Sequence, residues 1–253
     1  MTKKKVLVSG CNGHMGQILC RVIDQSENFK VQYAFDKTAW ELPNYCVCTN
    51  LDDIDETNLP DIIIDFSAPE ATMQLLEFAK KYSIPVVIAT TGFTESQNEN
   101  ILNASTEIPI FQSANMSIEV CLIKKVLQMI SSNLNESDIE ILEVHHNRKK
   151  DAPSGTALLL ANAIKEAFPK GEKKIIYGRS GKREKDEIGI SALRGGNVVG
   201  EHSVYFYGKH ETLEIKHTAH SRDLFAEGAL KAAEFLLGRT VPGLYTMDDI
   251  ISM

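Results

Sequence analysis

The chain has 253 residues, enough for one large core or two modest domains, and its 43% hydrophobic and 24% charged residues are those of an ordinary soluble globular protein. A formal net charge of −7 excludes a general nucleic-acid binder, so any attraction for an acidic ligand has to be local. Five cysteines (Cys11, Cys20, Cys46, Cys48 and Cys121) are odd in number and lack zinc or redox spacing, which fits a reducing cytoplasm. The basic N-terminus leads into a short apolar run that Gly10 ends, without the apolar stretch of a signal peptide, and no run approaches membrane-spanning length. The expectation is a soluble cytoplasmic protein with neither a membrane nor a nucleic acid as partner.

Residues 5–9 form a short apolar strand that enters Gly10-Cys11-Asn12-Gly13-His14-Met15-Gly16, and Met15, Ile18, Leu19 and Val22 then recur at helical spacing. This order of strand, glycines and helix suits a dinucleotide pyrophosphate: one glycine makes the tight turn, one lets phosphates approach, one lets helix and strand pack. The spacing G-x-x-G-x-x-G departs from the commoner G-x-G-x-x-G. Residues 31–35 read as a second strand ending at Asp36, an acid 20 residues beyond Gly16 where ribose hydroxyls would be bound. Lys37 beside it could instead meet a 2′-phosphate. The pair predicts use of NADH and NADPH, with NADH somewhat preferred.

Strands and helices keep alternating. Residues 61–65 are a continuous apolar strand, as a parallel strand covered on both faces should be. Pro69 starts a helix to about Tyr82, residues 85–89 are a strand, and a helix around 95–105 precedes another strand at 108–111. In an open α/β sheet the ligand sits beyond the carboxyl ends of the strands. Phe66, then Ala89, Thr90, Thr91 and Gly92, then Ser113, Ala114, Asn115 and Met116 lie at such ends and are candidates for the nicotinamide half of a cofactor.

The texture changes after Met116. A helical run from Ile118 to about Ser132 leads to a strand at 139–145 and then to the densely basic His145, His146, Arg148, Lys149 and Lys150. Pro153 stands ahead of a turn that Ser154 or Thr156 can cap, and Ala157, Leu160, Ala161, Ile164 and Phe168 recur at helical spacing until Pro169 and Gly171. Proton donors therefore meet a helix N-terminus opened by Ser154-Gly155-Thr156, where amides and the dipole favour an anion such as a carboxylate or phosphate. His145 and His146 point to opposite faces of an extended segment, and no Cys, Asp or Glu stands at ligand spacing beside them, so no metal is expected. Residues 179–187 read as a mobile charged surface loop, those from 188 to 217 as antiparallel strands, and those from Phe225 to Leu236 as a last helix returning to the first domain.

The string E-x-H-H-x-x-K-x-D-x-P-S-G-T-A from Glu143 to Ala157 closely resembles the signature of the 4-hydroxy-tetrahydrodipicolinate (dihydrodipicolinate) reductases, and the similarity runs from the glycine loop to the final helix. The resemblance implies a Rossmann-type dinucleotide-binding domain, residues 1–116 and 221–253. Hinges would join it to a mixed α+β substrate and oligomerisation domain with an open sheet, residues 117–220, that mediates tetramers. It implies NAD(P)H-dependent reduction of a cyclic dicarboxylate in the diaminopimelate route of lysine biosynthesis. His145 is then the proton donor and Lys149 a second acid, with His146, Lys149, Ser154, Gly155 and Thr156 holding substrate carboxylates. Cofactor contacts carried over by motif are Gly10 to Met15, Asp36, Ala89 to Thr91 and Ser113 to Met116, with Arg222 and Phe225 in a Ser-Arg-x-x-Phe segment. One departure from the family pattern is Ala68, which follows Asp65-Phe66-Ser67 where many relatives carry Arg or His.

Two other function classes fit parts of the chain. An NAD(P)-sensing regulator could dispense with an acid and a carboxylate cradle, and this chain keeps both. A semialdehyde dehydrogenase needs a nucleophilic cysteine near the nicotinamide. Cys121 follows the loop at Met116 but falls at a helix-interior position.

Overall fold

The computed structural model describes residues 2–38, 45 and 47–251, so Cys46 lies outside the described residues. In chain order the elements are β1 (Lys4–Ser9), α1 (His14–Gln25), β2 (Phe29–Phe35), β3 (Val47–Cys48), β4 (Ile62–Asp65), α2 (Pro69–Tyr82), β5 (Val86–Ile88), α3 (Glu95–Ala104), β6 (Pro109–Gln112) and α4 (Ile118–Ile130). There follow β7 (Asp138–His145), α5 (Gly155–Glu166), β8 (Lys174–Tyr177), β9 (Glu187–Arg194), β10 (Gly200–Tyr207), β11 (Thr212–Ala219), α6 (Asp223–Leu237), β12 (Gly243–Tyr245) and α7 (Met247–Ile250). The chain divides into two compact units, Ile118–Ser221 and the remainder on either side of it.

The flanking segments build a seven-stranded sheet in the order β12-β6-β5-β4-β1-β2-β3, every pairing parallel. Parallel neighbours need a crossover, and α1, α2 and α3 supply it. Helices on both faces leave the central strands no solvent side, which is why Ile62, Ile63 and Ile64 of β4 are all fully buried. Each such side chain contributes roughly 1.5–3 kcal/mol of transfer free energy. The strand order reverses between β1 and β4, so the crevice at their carboxyl ends lies between the turn after Ser9 and the turn after Asp65. Helix α6 packs on β4, β5, β6 and α1 of this sheet.

The inner segment forms a second, five-stranded sheet, β11-β10-β7-β9-β8. It is mixed, whereas the alternation after Ile188 suggested antiparallel strands throughout: β10 runs antiparallel to β7 and β11, but β7, β9 and β8 are mutually parallel. The reason is α5, which carries the chain back across the sheet between β7 and the later strands. The segment 179–187 is likewise pinned rather than a loose loop. Arg179 pairs with Glu140 at 2.6 Å and Glu187 at 2.9 Å, and Arg183 with Asp138 at 2.9 Å and Glu140 at 3.2 Å. One face of the sheet packs on α5 and α4 through Ile139, Ile141, Ile188, Ile190, Val204 and Phe206 against Ala157, Leu160, Ala161, Ile164 and Leu127.

Candidate active site

Strand β7 carries the centre of the inner unit. Its side chains alternate, so Ile139, Ile141, Glu143 and His145 all face the helix layer and all are buried. The face is apolar for two positions and then turns to a carboxylate and an imidazole, where the apolar packing of α5 gives way to the helix N-terminus. The sheet register brings in the neighbours. His202 of β10 lies opposite Glu143, and Arg194 of β9 lies opposite His145.

Glu143 has no exposed surface, and its carboxylate accepts four hydrogen bonds. Arg194 donates Nη2 to Oε1 at 2.7 Å and Nη1 to Oε2 at 2.9 Å, the Ser154 amide donates to Oε1 at 3.0 Å, and His145 Nδ1 bonds Oε2. Burial pushes this carboxyl up, but Arg194, His145 and the Ser154 amide together outweigh it and hold it below the ordinary glutamate range. His145 is shifted below the usual imidazole range by burial, which the Glu143 carboxylate opposes and the cations of Lys149 and Arg194 reinforce. The rings of His145 and His202 meet edge to face at 5.1 Å between centroids. Burial, with the charge of His145 as the next cause, pushes His202 down to about 4.

The sequence placed no carboxylate beside the histidines; the period of the strand puts Glu143 on the face of His145. Donor atoms of Glu143, His145 and His202 come within 4.8 Å of one another, close enough to suggest a metal site. A cation there would sit against Arg194 and compete for oxygens already engaged, so the cluster is better described as a hydrogen-bonded ion pair.

Ser154 is the cap of α5, its hydroxyl accepting from the Ala157 amide at 3.1 Å and lying 2.9 Å from His202 Nε2. Its amide is bound to Glu143, so both polar groups of this residue are engaged internally and its part is to fix the turn. Gly155 is exposed, and a Cβ there would meet nothing within 4 Å, which leaves the backbone open to a ligand. Thr156, next in the chain, and His146 are half-buried, and the Lys149 ammonium pairs with Asp151 at 2.8 Å. Arg194 also donates to the Asp151 carbonyl at 2.7 Å, fixing the basic segment to the sheet.

In the outer unit, Gly10 has φ +76°, and a Cβ there would stand 2.5 Å from the Phe66 carbonyl oxygen, so only glycine allows β1 and β4 to end side by side. A Cβ on Gly16 would lie 2.1 Å from the Gly10 carbonyl oxygen, which is the close helix–strand approach. Gly13 precedes α1 as its N-cap, and His14, its first residue, is exposed. The Asn12 amide donates to Asp36 Oδ2 at 3.1 Å, while Lys37 is exposed. Met15, Phe66, Ala89, Ala114, Met116, Arg222 and Phe225 line one cavity of about 260 Å³. Open backbone at the glycine turn, an acid at the next strand end and a mostly apolar cavity fit a nicotinamide dinucleotide. Thr91 and Gly92 are exposed just outside this group, and Ser113 folds its own turn by donating to the Asn115 carbonyl at 2.7 Å. Cys11 is buried and its thiol is pushed up to about 12 by burial and then by Asp36.

Two residues to which the sequence reading gave no role organise the two units, one in each. Asp65 is fully buried at the end of β4 and accepts from the Ser67 amide at 3.2 Å, Thr72 Oγ1 at 2.6 Å and Thr90 Oγ1 at 2.9 Å. Burial raises its pKa, against these hydrogen bonds. Thr90 thus spends its hydroxyl on the loop itself. Arg194 is the other; nothing in its local sequence marks it, because only the register of β9 on β7 brings it to Glu143.

The family model described as "Dihydrodipicolinate reductase, N-terminus" matches residues 4–116, and "Dihydrodipicolinate reductase, C-terminus" matches residues 119–251. A 4-hydroxy-tetrahydrodipicolinate reductase of Clostridium novyi is 47% identical over 250 residues, 98% of each chain. One from Caldanaerobacter subterraneus subsp. tengcongensis is 45% identical over the same lengths. Among solved structures, a dipicolinate-bound dihydrodipicolinate reductase from Paenisporosarcina sp. TG-14 superposes with a TM-score of 0.81 over 99% of this chain and 100% of that one, at 23% identity.

The low pKa of His202 makes stability depend on pH. In the unfolded chain an imidazole titrates near 6.5, whereas folded His202 takes its proton only near about 4. Between these values the unfolded chain binds more protons, so stability is full above the upper value and falls as pH drops, by up to roughly 3 kcal/mol. Urea unfolding near neutrality and at about pH 4.5 should show the parent losing clearly more stability than His202→Gln. Equal losses would mean that His202 is not held neutral.

Proposed function

The chain belongs to the dihydrodipicolinate reductase family, and from that premise we propose that it reduces 4-hydroxy-tetrahydrodipicolinate to tetrahydrodipicolinate with NAD(P)H, in the diaminopimelate route of lysine biosynthesis. The observation that carries the reading is one buried carboxylate, Glu143, that holds both the imidazole of His145 and the amide of Ser154 at an anion-binding helix start. An acid and a carboxylate cradle thereby stand side by side in one unit.

The cofactor is a nicotinamide dinucleotide; when bound it supplies the hydride. Gly10 to Met15 would hold its pyrophosphate, Asp36 and Lys37 its adenosine ribose, and the cavity from Met15 to Phe225 its nicotinamide, with Ala89 to Gly92 and Ser113 to Met116 forming the rim. The acid at Asp36 disfavours a 2′-phosphate and Lys37 offsets it, so both cofactors serve and NADH is somewhat preferred.

The substrate is a small cyclic dicarboxylate. Gly155 and Thr156 take one carboxylate at the start of α5, where the helix dipole is positive, and His146 and Lys149 take the other. Hydride addition to the conjugated ring leaves negative charge on ring atoms. His145, as imidazolium, neutralises it and delivers the proton, with Lys149 as the second acid, an effect typically worth 10²–10⁴-fold. The outer face of the five-stranded sheet exposes Leu193 and Tyr207, with Tyr205 stacked on Tyr207 at 5.4 Å, and would join subunits into a homotetramer in the cytoplasm. Among the described residues no helix is long and apolar enough to cross a membrane.

Steady-state kinetics with substrate generated by a coupled dihydrodipicolinate synthase test the assignment. His145→Gln should lower kcat by about 10²-fold or more with KM little changed, and Lys149→Ala should worsen both parameters. Near-normal turnover in His145→Gln would remove that residue from the mechanism.

Cofactor choice is tested by calorimetric titration with NADH and NADPH. The parent should bind both, and Asp36→Ala should move the preference toward NADPH. Binding of NADPH alone by the parent contradicts the reading of Asp36.

A further inference from the structure

We propose that Glu143, clamped by Arg194, is a positioning residue for the reaction: it fixes His145 as the Nδ1–H tautomer, makes Nε2 the nitrogen that carries and releases the proton, and ties that ring to the carboxylate-binding turn. The proposal rests on His145 being the acid.

The tautomer follows from counting donors. Arg194 has only N–H groups and the Ser154 amide has one, so the Glu143 carboxylate is an acceptor on every side. The nitrogen of His145 against it is therefore the one that carries hydrogen in both charge states of the ring. Proton release falls to Nε2. The clearance around that atom comes from β10: a Cβ on Gly200 would stand 3.1 Å from Nε2, and glycine leaves the position open. After release the ring is neutral with its Nδ1–H bond to Glu143 unchanged, so the catalytic imidazole keeps its orientation through the cycle.

Four groups around the ring decide its charge. Glu143 on its own strand favours the imidazolium; Arg194 from β9 and Lys149 from the turn after β7 disfavour it. His202 from β10 touches the ring edge to face, and is neutral near pH 7, so it adds bulk without a like charge. Arg194 has two effects on this balance. It keeps Glu143 ionised and oriented through two hydrogen bonds, and its charge limits how far Glu143 raises the basicity of the ring. The same guanidinium holds the Asp151 carbonyl, and Glu143 holds the Ser154 amide, so the turn that would receive a carboxylate is built from the partners of the acid.

Opposite signs distinguish this from mere structural support. Glu143→Gln keeps the shape and removes the negative charge, so the pH above which kcat is lost should fall by about one unit or more, with kcat near neutrality down about 10-fold and KM changed less. Arg194→Gln removes a cation and should move the same limb upward. Limbs that stay where they are in both variants, or move in the same direction, would overturn the coupling. Circular dichroism and thermal melting report whether each variant folds. The parent chain supplies the independent arm: nitrogen-15 shifts of labelled histidine, assigned with His145→Gln, should show Nδ1 protonated at high pH and Nε2 titrating. The reverse tautomer overturns the proposal even if neither variant folds. A His145→Gln enzyme with near-normal turnover would instead refute the role of the acid, and the ring measurement would still judge the coupling.

Discussion

A carboxylate with no exposed surface is tolerated only when its lone pairs are used and its charge is matched, and Glu143 meets both conditions through groups drawn from across the inner unit. Arg194 arrives by the register of β9, the Ser154 amide by the start of α5, and His145 by the two-residue period of β7. Take away any one of these and an unmatched charge or an unpaired acceptor remains in the interior. The arrangement therefore holds strand, helix start and basic turn in one relation, and the chemistry inherits that rigidity.

The outer unit solves a similar problem with different chemistry. Asp65 also ends a parallel strand as a fully buried carboxylate, but its partners are a backbone amide and the hydroxyls of Ser67, Thr72 and Thr90, with no cation among them. The two acids consequently shift in opposite directions: burial dominates at Asp65 and raises it, whereas at Glu143 the hydrogen bonds from Arg194, His145 and the Ser154 amide together outweigh burial and lower it. Asp65, bound by hydroxyls and an amide, serves to knit loops around a cavity. An ionised Glu143 serves to orient and charge-balance an imidazole.

What the sequence reveals divides along the same line. Contiguous features were legible: the continuous isoleucines of β4, the glycine turn before α1, and the run from His145 to Thr156 with its capped helix start all state their local physics within a few residues. The α/β class and the open second sheet follow from them. Features created by pairing were not legible. Whether β9 lies parallel to β7 depends on the crossover through α5, and the antiparallel expectation failed there. His202 and Arg194 sit 59 and 51 positions from Glu143, and only register joins them. The charges at Arg179 and Arg183 looked solvated because their partners, Glu140 and Asp138, belong to another strand. Glu143 itself was open to view, since Ile139, Ile141, Glu143 and His145 share one strand face; the period of two was the signal.

In the proposed function, the turn built on Glu143 and Ser154 receives one carboxylate of a rigid dicarboxylate while the basic segment receives the other. Calorimetric titration with pyridine-2,6-dicarboxylate and pyridine-2-carboxylate, in the presence of NADH, tests it most directly, because the two rings differ in a single anion. A charge-assisted hydrogen bond contributes about 1.5–3 kcal/mol, so the dicarboxylate should bind at least about 10-fold more tightly. Equal affinity for the two compounds would contradict a two-anion cradle.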